Sequence, residues 1–159
     1  LTTPASSSLE RVSRQAAALG LDISIRRMAQ STRTAGEAAR ACDCQVDQIV
    51  KSMVFEEKKQ GALVLLLVSG AHDADIDFIR TQHGLDLTRA DTRRVRDETG
   101  FAIGGVAPIG HLRPLPVYID ERLAAFETVW AAAGRPDSVF CVNPKVLAEA
   151  IGAVTIRMR

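Results

Sequence analysis

Ile49-Val50-Lys51-Ser52-Met53-Val54-Phe55 and Ala62-Leu63-Val64-Leu65-Leu66-Leu67-Val68 are the two stretches on which the fold turns. Between them lies Glu56-Glu57-Lys58-Lys59-Gln60-Gly61, a charged segment closed by a glycine. Two apolar runs joined by such a turn predict a β-hairpin. Both runs are apolar at odd and even positions alike, the character of strands covered on both faces. Lys51 breaks the pattern. Burying an unpaired ammonium is expensive, so a lysine there either snorkels from a strand edge or is aimed into a cleft. In a cleft it would polarise a carbonyl or hold a phosphate.

Outward from the hairpin, helix and strand signals alternate at irregular intervals. Ser6 to Ser8 lead into Leu9-Glu10-Arg11-Val12, with Ser7 and Glu10 spaced as a capping box and Gly20 closing the helix. Asp22 to Met28 reads as a short strand. Thr34 and Glu37 repeat the capping-box spacing and open a helix through Cys42. Asp73 to Gln82 and Asp91 to Glu98 each begin with an aspartate and are soon followed by a glycine, which predicts two further helices. Val117 to Ile119, Val129 to Ala132 and Val139 to Val142 are short strands. Asn143-Pro144 opens a helix that runs to Gly152, and Val154 to Met158 is a closing strand. This irregular mixture predicts an α+β domain rather than a repeating βαβ unit. With no linker or internal repeat, residues 1–159 read as a single domain.

Composition narrows the function. The chain has 159 residues, 47% hydrophobic but only 4% aromatic, so its core is built from Val, Ile, Leu and Ala. A net charge of +1 argues against a broad nucleic-acid-coating face, and no DNA-reading motif is present. The longest apolar run is too short to span a bilayer, and no signal-like segment opens the sequence. Three cysteines without framework spacing fit a reducing compartment. These features predict a soluble, cytoplasmic protein that contacts neither membrane nor DNA. Cys42 and Cys44 lack the second pair a metal site needs, so no metal and no cofactor is expected.

The second chemical feature is Ile103-Gly104-Gly105-Val106-Ala107-Pro108-Ile109-Gly110-His111. Its glycines let backbone approach a ligand closely, and its amides can bind an oxyanion or a carbonyl. His111 is either a general base or a cap on nearby carbonyls. Val68-Ser69-Gly70 ends the second hairpin strand, a common position for a pocket wall. Arg89, Arg93 and Arg96 would share one helical face, and Arg80 stands nearby. They form either a solvated surface or a set of phosphate contacts. Nucleophile elbows, Walker loops and dinucleotide fingerprints are absent.

These segments, in this order, resemble the YbaK/prolyl-tRNA editing-domain family of aminoacyl-tRNA deacylases. The markers are Thr34 to Ala39, Ile49 to Phe55, Val68 to Gly70, Thr99-Gly100, Gly104 to His111, Leu115 to Asp120, Ala133-Gly134, Pro144 and Leu147. The resemblance implies a mixed, partly barrel-like sheet flanked by helices, and hydrolysis of a wrong amino acid from tRNA, typically tRNA for proline. It matches the family's lysine to Lys51 and its glycine-x-x-x-proline loop to Gly104–Pro108. The expected catalytic set is therefore Lys51, Gly104, Gly105, Val106, Ala107, Pro108 and His111. Ser69, Gly70, Met53 and Ile103 are expected against the substrate, and Arg80, Arg89, Arg93 and Arg96 against tRNA. The partners implied are the acceptor end of mischarged tRNA and a prolyl-tRNA synthetase. Arg26-Arg27, Val139 and His111 depart from the cysteine-clearing branch and point to another small residue, such as alanine, serine or a short non-protein amino acid. A binding module that holds charged tRNA ends or a small metabolite without hydrolysis is the competing class.

Overall fold

The computed structural model describes residues 7–159. Its frame is one eight-stranded mixed sheet in the order β1-β7-β6-β2-β3-β5-β8, with β4 added beside β2. The strands are β1 (Ile25–Arg27), β2 (Ile49–Glu57), β3 (Leu63–Ser69), β4 (Leu87–Arg89), β5 (Val117–Asp120), β6 (Val129–Arg135), β7 (Ser138–Val142) and β8 (Val154–Ile156). Five helices flank them: α1 (Ser8–Ala18), α2 (Ala35–Cys42), α3 (Ile76–His83), α4 (Thr92–Thr99) and α5 (Pro144–Ile151).

The hairpin forms as its sequence predicts, antiparallel from Val50↔Ser69 to Glu56↔Leu63. Glu57 closes its turn by accepting from the amides of Lys59 and Gln60 at 3.1 and 2.9 Å. Every residue of β3 is buried. The period of two divides its side chains between two cores. Leu63, Leu65 and Leu67 join the main core with Phe101, Leu123, Phe140 and Leu147. Val64, Leu66 and Val68 pack on the other face with Ile79, Leu87 and Met158. That double burial is why the run shows no alternation.

Capping signals translate directly into helix ends. Thr34 and Glu37 form a reciprocal capping box on α2. Asn143 accepts from the amides of Lys145 and Val146, with Pro144 in the first turn of α5. Ser7 caps α1 through the Glu10 amide, while Ser6 lies outside the described residues.

Some boundaries move. The third helix starts at Ile76 with Asp75 as its cap, not at Asp73, because the Asp75 carboxylate is the one that accepts from the Phe78 amide at 3.0 Å. The first strand shrinks to three residues, held only against β7. Arg89 belongs to β4, a three-residue strand the sequence does not announce, so it shares no helical face with Arg93 and Arg96.

Candidate active site

Strand β2 has two unlike edges. Along one, β3 pairs with it from Val50 to Glu56. Along the other, β6 pairs only with Ile49 and Val50, and β4 takes over only at Phe55. Residues 51–54 thus face a gap where no strand is bonded. The glycine loop lies opposite this gap, and two clefts open there.

The first cleft, about 420 Å³, is lined by Lys51, Ser52 and Gly70, by Arg33, Thr34 and Ala35 ahead of and within α2, by Trp130 of β6, and by Gly104 and Val106. Lys51 is not sealed in the core. Its side chain is 25% exposed, and its ammonium lies 3.2 Å from Asp73, which is 96% exposed. So exposed a partner gives little stabilisation and can be displaced by a ligand. Arg33 makes no side-chain hydrogen bond or ion pair among the described residues. Its stem lies over Gly104, where a Cβ would come within 2.9 Å of the Arg33 Cγ at φ +90°. The positive φ favours glycine there, and a Cβ would also displace the Arg33 stem.

The second cleft, about 540 Å³, continues beyond Ser52 and is walled by Met53, Phe55, Leu87, Arg89 and Ile103. Ser52, Gly104 and Val106 line both clefts. Ser52 Oγ is buried with no hydrogen-bond partner among the described residues. Such an orphan costs about 1–3 kcal/mol, which calls for an explanation.

The loop is fixed at its base and free near its tip. Arg11 of α1 donates to the carbonyls of Gly100 and Gly110 at 2.6 and 3.1 Å, and its guanidinium stands 5.0 Å above the Phe101 ring. The Gln15 side-chain carbonyl accepts from the Gly110 amide. Thr99 Oγ1 donates to the Val95 carbonyl and accepts from the Phe101 amide. At the tip, Ala102 and Ile103 are exposed. The Gly105 amide is committed, donating to the Ala102 carbonyl at 3.0 Å, whereas those of Gly104, Val106 and Ala107 donate to nothing among the described residues. Val106 and Ala107 are buried. Unpaired amides in such a position are ready donors for an anion.

His111 sits against a backbone carbonyl of the loop. Its Nε2 lies 2.7 Å from the Ala107 carbonyl, and its ring meets Phe101 edge-on at 5.6 Å. A carbonyl only accepts, so Nε2 carries the proton. Burial pushes the imidazole pKa below 6.5, and the nearby Arg11 adds to the fall. It is a neutral strut beneath the loop, lining neither cleft. Pro108 and Ala107 are likewise buried supports.

Ser69 also acts from behind. It is 1% exposed, its hydroxyl donates to the Asp47 carbonyl at 2.8 Å, and its amide donates to the buried Asp120 carboxylate at 3.1 Å. Gly70 forms the actual wall. A Cβ there would meet the Val46 carbonyl at 2.5 Å and Ile49 Cβ at 2.9 Å. Met53 and Ile103 line the second cleft. Arg93 and Arg96 border an adjoining depression that includes Ile103. Arg80 stands apart, paired with Asp77 at 3.4 Å. Sequence reasoning missed Arg11, Gln15, Arg33, Ser52 and Trp130. Only the one-turn spacing of Arg11 and Gln15 on α1 hinted at a shared target.

Cys42, Cys44 and Cys141 lie close enough together for their thiols to influence one another. Cys42 ends α2, Cys44 follows it, and burial together with the neighbouring thiols raises the Cys42 pKa to about 11. No group of side chains able to hold a metal occurs among the described residues. None of their helices is long and apolar enough to cross a membrane.

A lysine, a set of unpaired amides and a split groove on a mixed sheet form a candidate site whose chemistry suits an anionic or ester-bearing ligand. The family model of the aminoacyl-tRNA editing domain matches residues 29–150, and the chain belongs to that family. It is 34% identical over 121 residues to the uncharacterized protein YwhH of Bacillus subtilis, covering 75% of each chain. Over 106 residues it is 30% identical to the proline–tRNA ligase of Moorella thermoacetica, covering 65% of this chain but 18% of that ligase. A solved structure provisionally assigned as a trans-editing enzyme for prolyl tRNA synthetase superposes with a TM-score of 0.88 at 41% identity, covering 98% of both chains.

Proposed function

We propose that this protein is an aminoacyl-tRNA deacylase that works in trans in the cytoplasm, removing a small wrong amino acid from tRNA for proline. The observation that carries the reading is the set of unpaired amides at Gly104 and Val106, which line the same cleft as Lys51. The likeness to a provisionally assigned trans-editing enzyme along 98% of both chains supports action beside a prolyl-tRNA synthetase.

An aminoacyl ester is already activated, so hydrolysis needs no covalent nucleophile. Water adds to the ester carbonyl, the bond to the ribose oxygen breaks, and a proton passes to that oxygen. Free amino acid and a tRNA 3′ hydroxyl result. The amides of Gly104 and Val106 would stabilise the developing oxyanion, the term that usually contributes most to such a rate. Lys51 would exchange its exposed carboxylate partner for the carbonyl oxygen. His111, neutral and bonded to the Ala107 carbonyl, would hold the loop rather than move a proton. Pocket volume would limit the residue accepted, although volume alone discriminates modestly per methylene.

The test is ester loss from tRNA for proline charged with alanine, serine, cysteine, 2-aminobutyrate or proline, with Lys51→Ala run beside the wild type. Selective release of one small residue, abolished in the variant, is expected. Tight binding of charged tRNA without release would establish a binding module instead.

A further inference from the structure

No described residue of α1 lines either cleft, yet the helix holds both ends of the glycine loop. Val12 and Ala16 bury its inner stripe in the main core. Its first turn packs on β6, where a Cβ on Gly134 would meet Ser8 Cβ at 2.9 Å. The helix is thereby anchored to the sheet that carries Lys51. Arg11 and Gln15, one turn apart, stand beside that stripe. The Arg11 guanidinium donates to the Gly100 carbonyl at 2.6 Å and to the Gly110 carbonyl at 3.1 Å, so one rigid fork bridges the two ends. Gly100 is also the left-handed cap of α4, and the cation meets the carbonyl end of that helix. Gln15 takes the Gly110 amide through its side-chain carbonyl. Both backbone groups of Gly110 are held by α1, as a neighbouring strand would hold them. The fit is close: a Cβ on Gly110, at φ +86°, would come within 3.0 Å of the Val12 nitrogen. Inside the loop, the Gly105 amide and the His111 ring bond to the loop's own carbonyls, at Ala102 and Ala107. Those bonds shape the loop without joining it to the sheet.

We propose that α1 is a brace for ester hydrolysis, with Arg11 and Gln15 as positioning residues that set the Gly104 and Val106 amides against the Lys51 ammonium. The proposal rests on the deacylase reading, although both side chains lie outside the clefts. Misplacing a reacting group by about 1 Å can cost on the order of a hundredfold in rate, so a helix remote from the chemistry can govern it.

The test uses the full chain and two readings. One is initial release from whichever aminoacyl-tRNA for proline the wild type hydrolyses fastest. The other is amide exchange across residues 100–112, followed by mass spectrometry. Arg11→Met keeps the aliphatic stem and removes the fork. It should lower kcat per folded molecule about tenfold to a hundredfold with KM unchanged, because the groups that bind substrate remain. Exchange across 100–112 should quicken while β3 stays protected. Gln15→Leu should act in the same direction but less strongly. Gln15→Glu, which still offers the Gly110 amide an acceptor, should restore turnover. Arg14→Ala removes a charge from the exposed side of the same helix and should change neither reading.

Unchanged kcat in Arg11→Met, a raised KM with kcat retained, or an equal loss in Arg14→Ala would overturn the proposal. So would a lowered kcat without faster exchange in residues 100–112, since the loop would not have been released. A wild type that releases no amino acid from any charged tRNA sinks the deacylase reading. In that case, quickened exchange in Arg11→Met but not in Arg14→Ala would uphold the brace, and unchanged exchange would sink it too.

Discussion

The two edges of β2 make the most instructive comparison in this molecule. One edge is bonded to β3 along seven register pairs, and β3 is buried throughout. The opposite edge loses its partner between Val50 and Phe55 and faces a loop whose tip donates few hydrogen bonds. One strand thus serves as scaffold on one side and borders the candidate site on the other. Rigidity on the β3 side fixes Lys51 and Ser52, while the broken edge leaves room and unpaired donors for a ligand. Functional groups held by a rigid frame are the general solution to this problem.

Variants on the two edges should separate stability from activity. Leu66→Ala, at a fully buried side chain of β3, should cost about 2–5 kcal/mol in urea unfolding, with turnover per folded molecule unchanged. Lost turnover in the folded fraction would break the contrast. Gly70→Ala acts at the boundary of the two regions. The Val46 carbonyl is backbone and cannot step aside, so about 1–3 kcal/mol of strain is expected, together with a distorted Lys51 cleft. A melting temperature equal to wild type would show that the wall yields.

A smaller effect concerns pH. The depressed His111 pKa means that the folded state resists a proton the unfolded chain accepts. Its contribution is therefore intact above the ordinary value of 6.5 and declines as pH falls below it. His111→Gln should flatten the slope of stability between neutral and mildly acidic pH. Asp75 and Asp137, whose pKa values are lowered from 3.8, lose their contributions only further into acid. An unchanged slope would contradict the neutral-strut assignment. The smallest effect is at Cys42, where a pKa near 11 predicts alkylation at neutral pH much slower than for an ordinary thiol.

The fold was largely legible because its strongest signals are local. The double-sided apolar runs of β2 and β3, the Thr34–Glu37 box and the Asn143-Pro144 start each specify structure within a few residues. Strand β4 was not, since Leu87-Thr88-Arg89 has no pattern of its own and forms only because β2 offers it an edge. The site divides in the same way. Lys51, Gly70 and Gly104 announce themselves by residue type in context. Arg33 and Ser52 do not, because an exposed arginine and a strand serine acquire meaning only from what lies across the gap. His111 and Ser69 drew attention as chemical residue types, yet their hydrogen bonds place them behind the site.

The most direct test compares Lys51→Met and Leu66→Ala in one assay, measuring initial ester loss from alanyl-tRNA for proline per folded molecule. Lys51→Met keeps the aliphatic stem and removes only the charge. It should fall by about 10²–10³, as for loss of an oxyanion donor, while keeping its melting temperature. Leu66→Ala should show the reverse, a lowered melting temperature with turnover retained. Near-wild-type turnover in Lys51→Met would contradict the assignment of the broken edge of β2 as the active site.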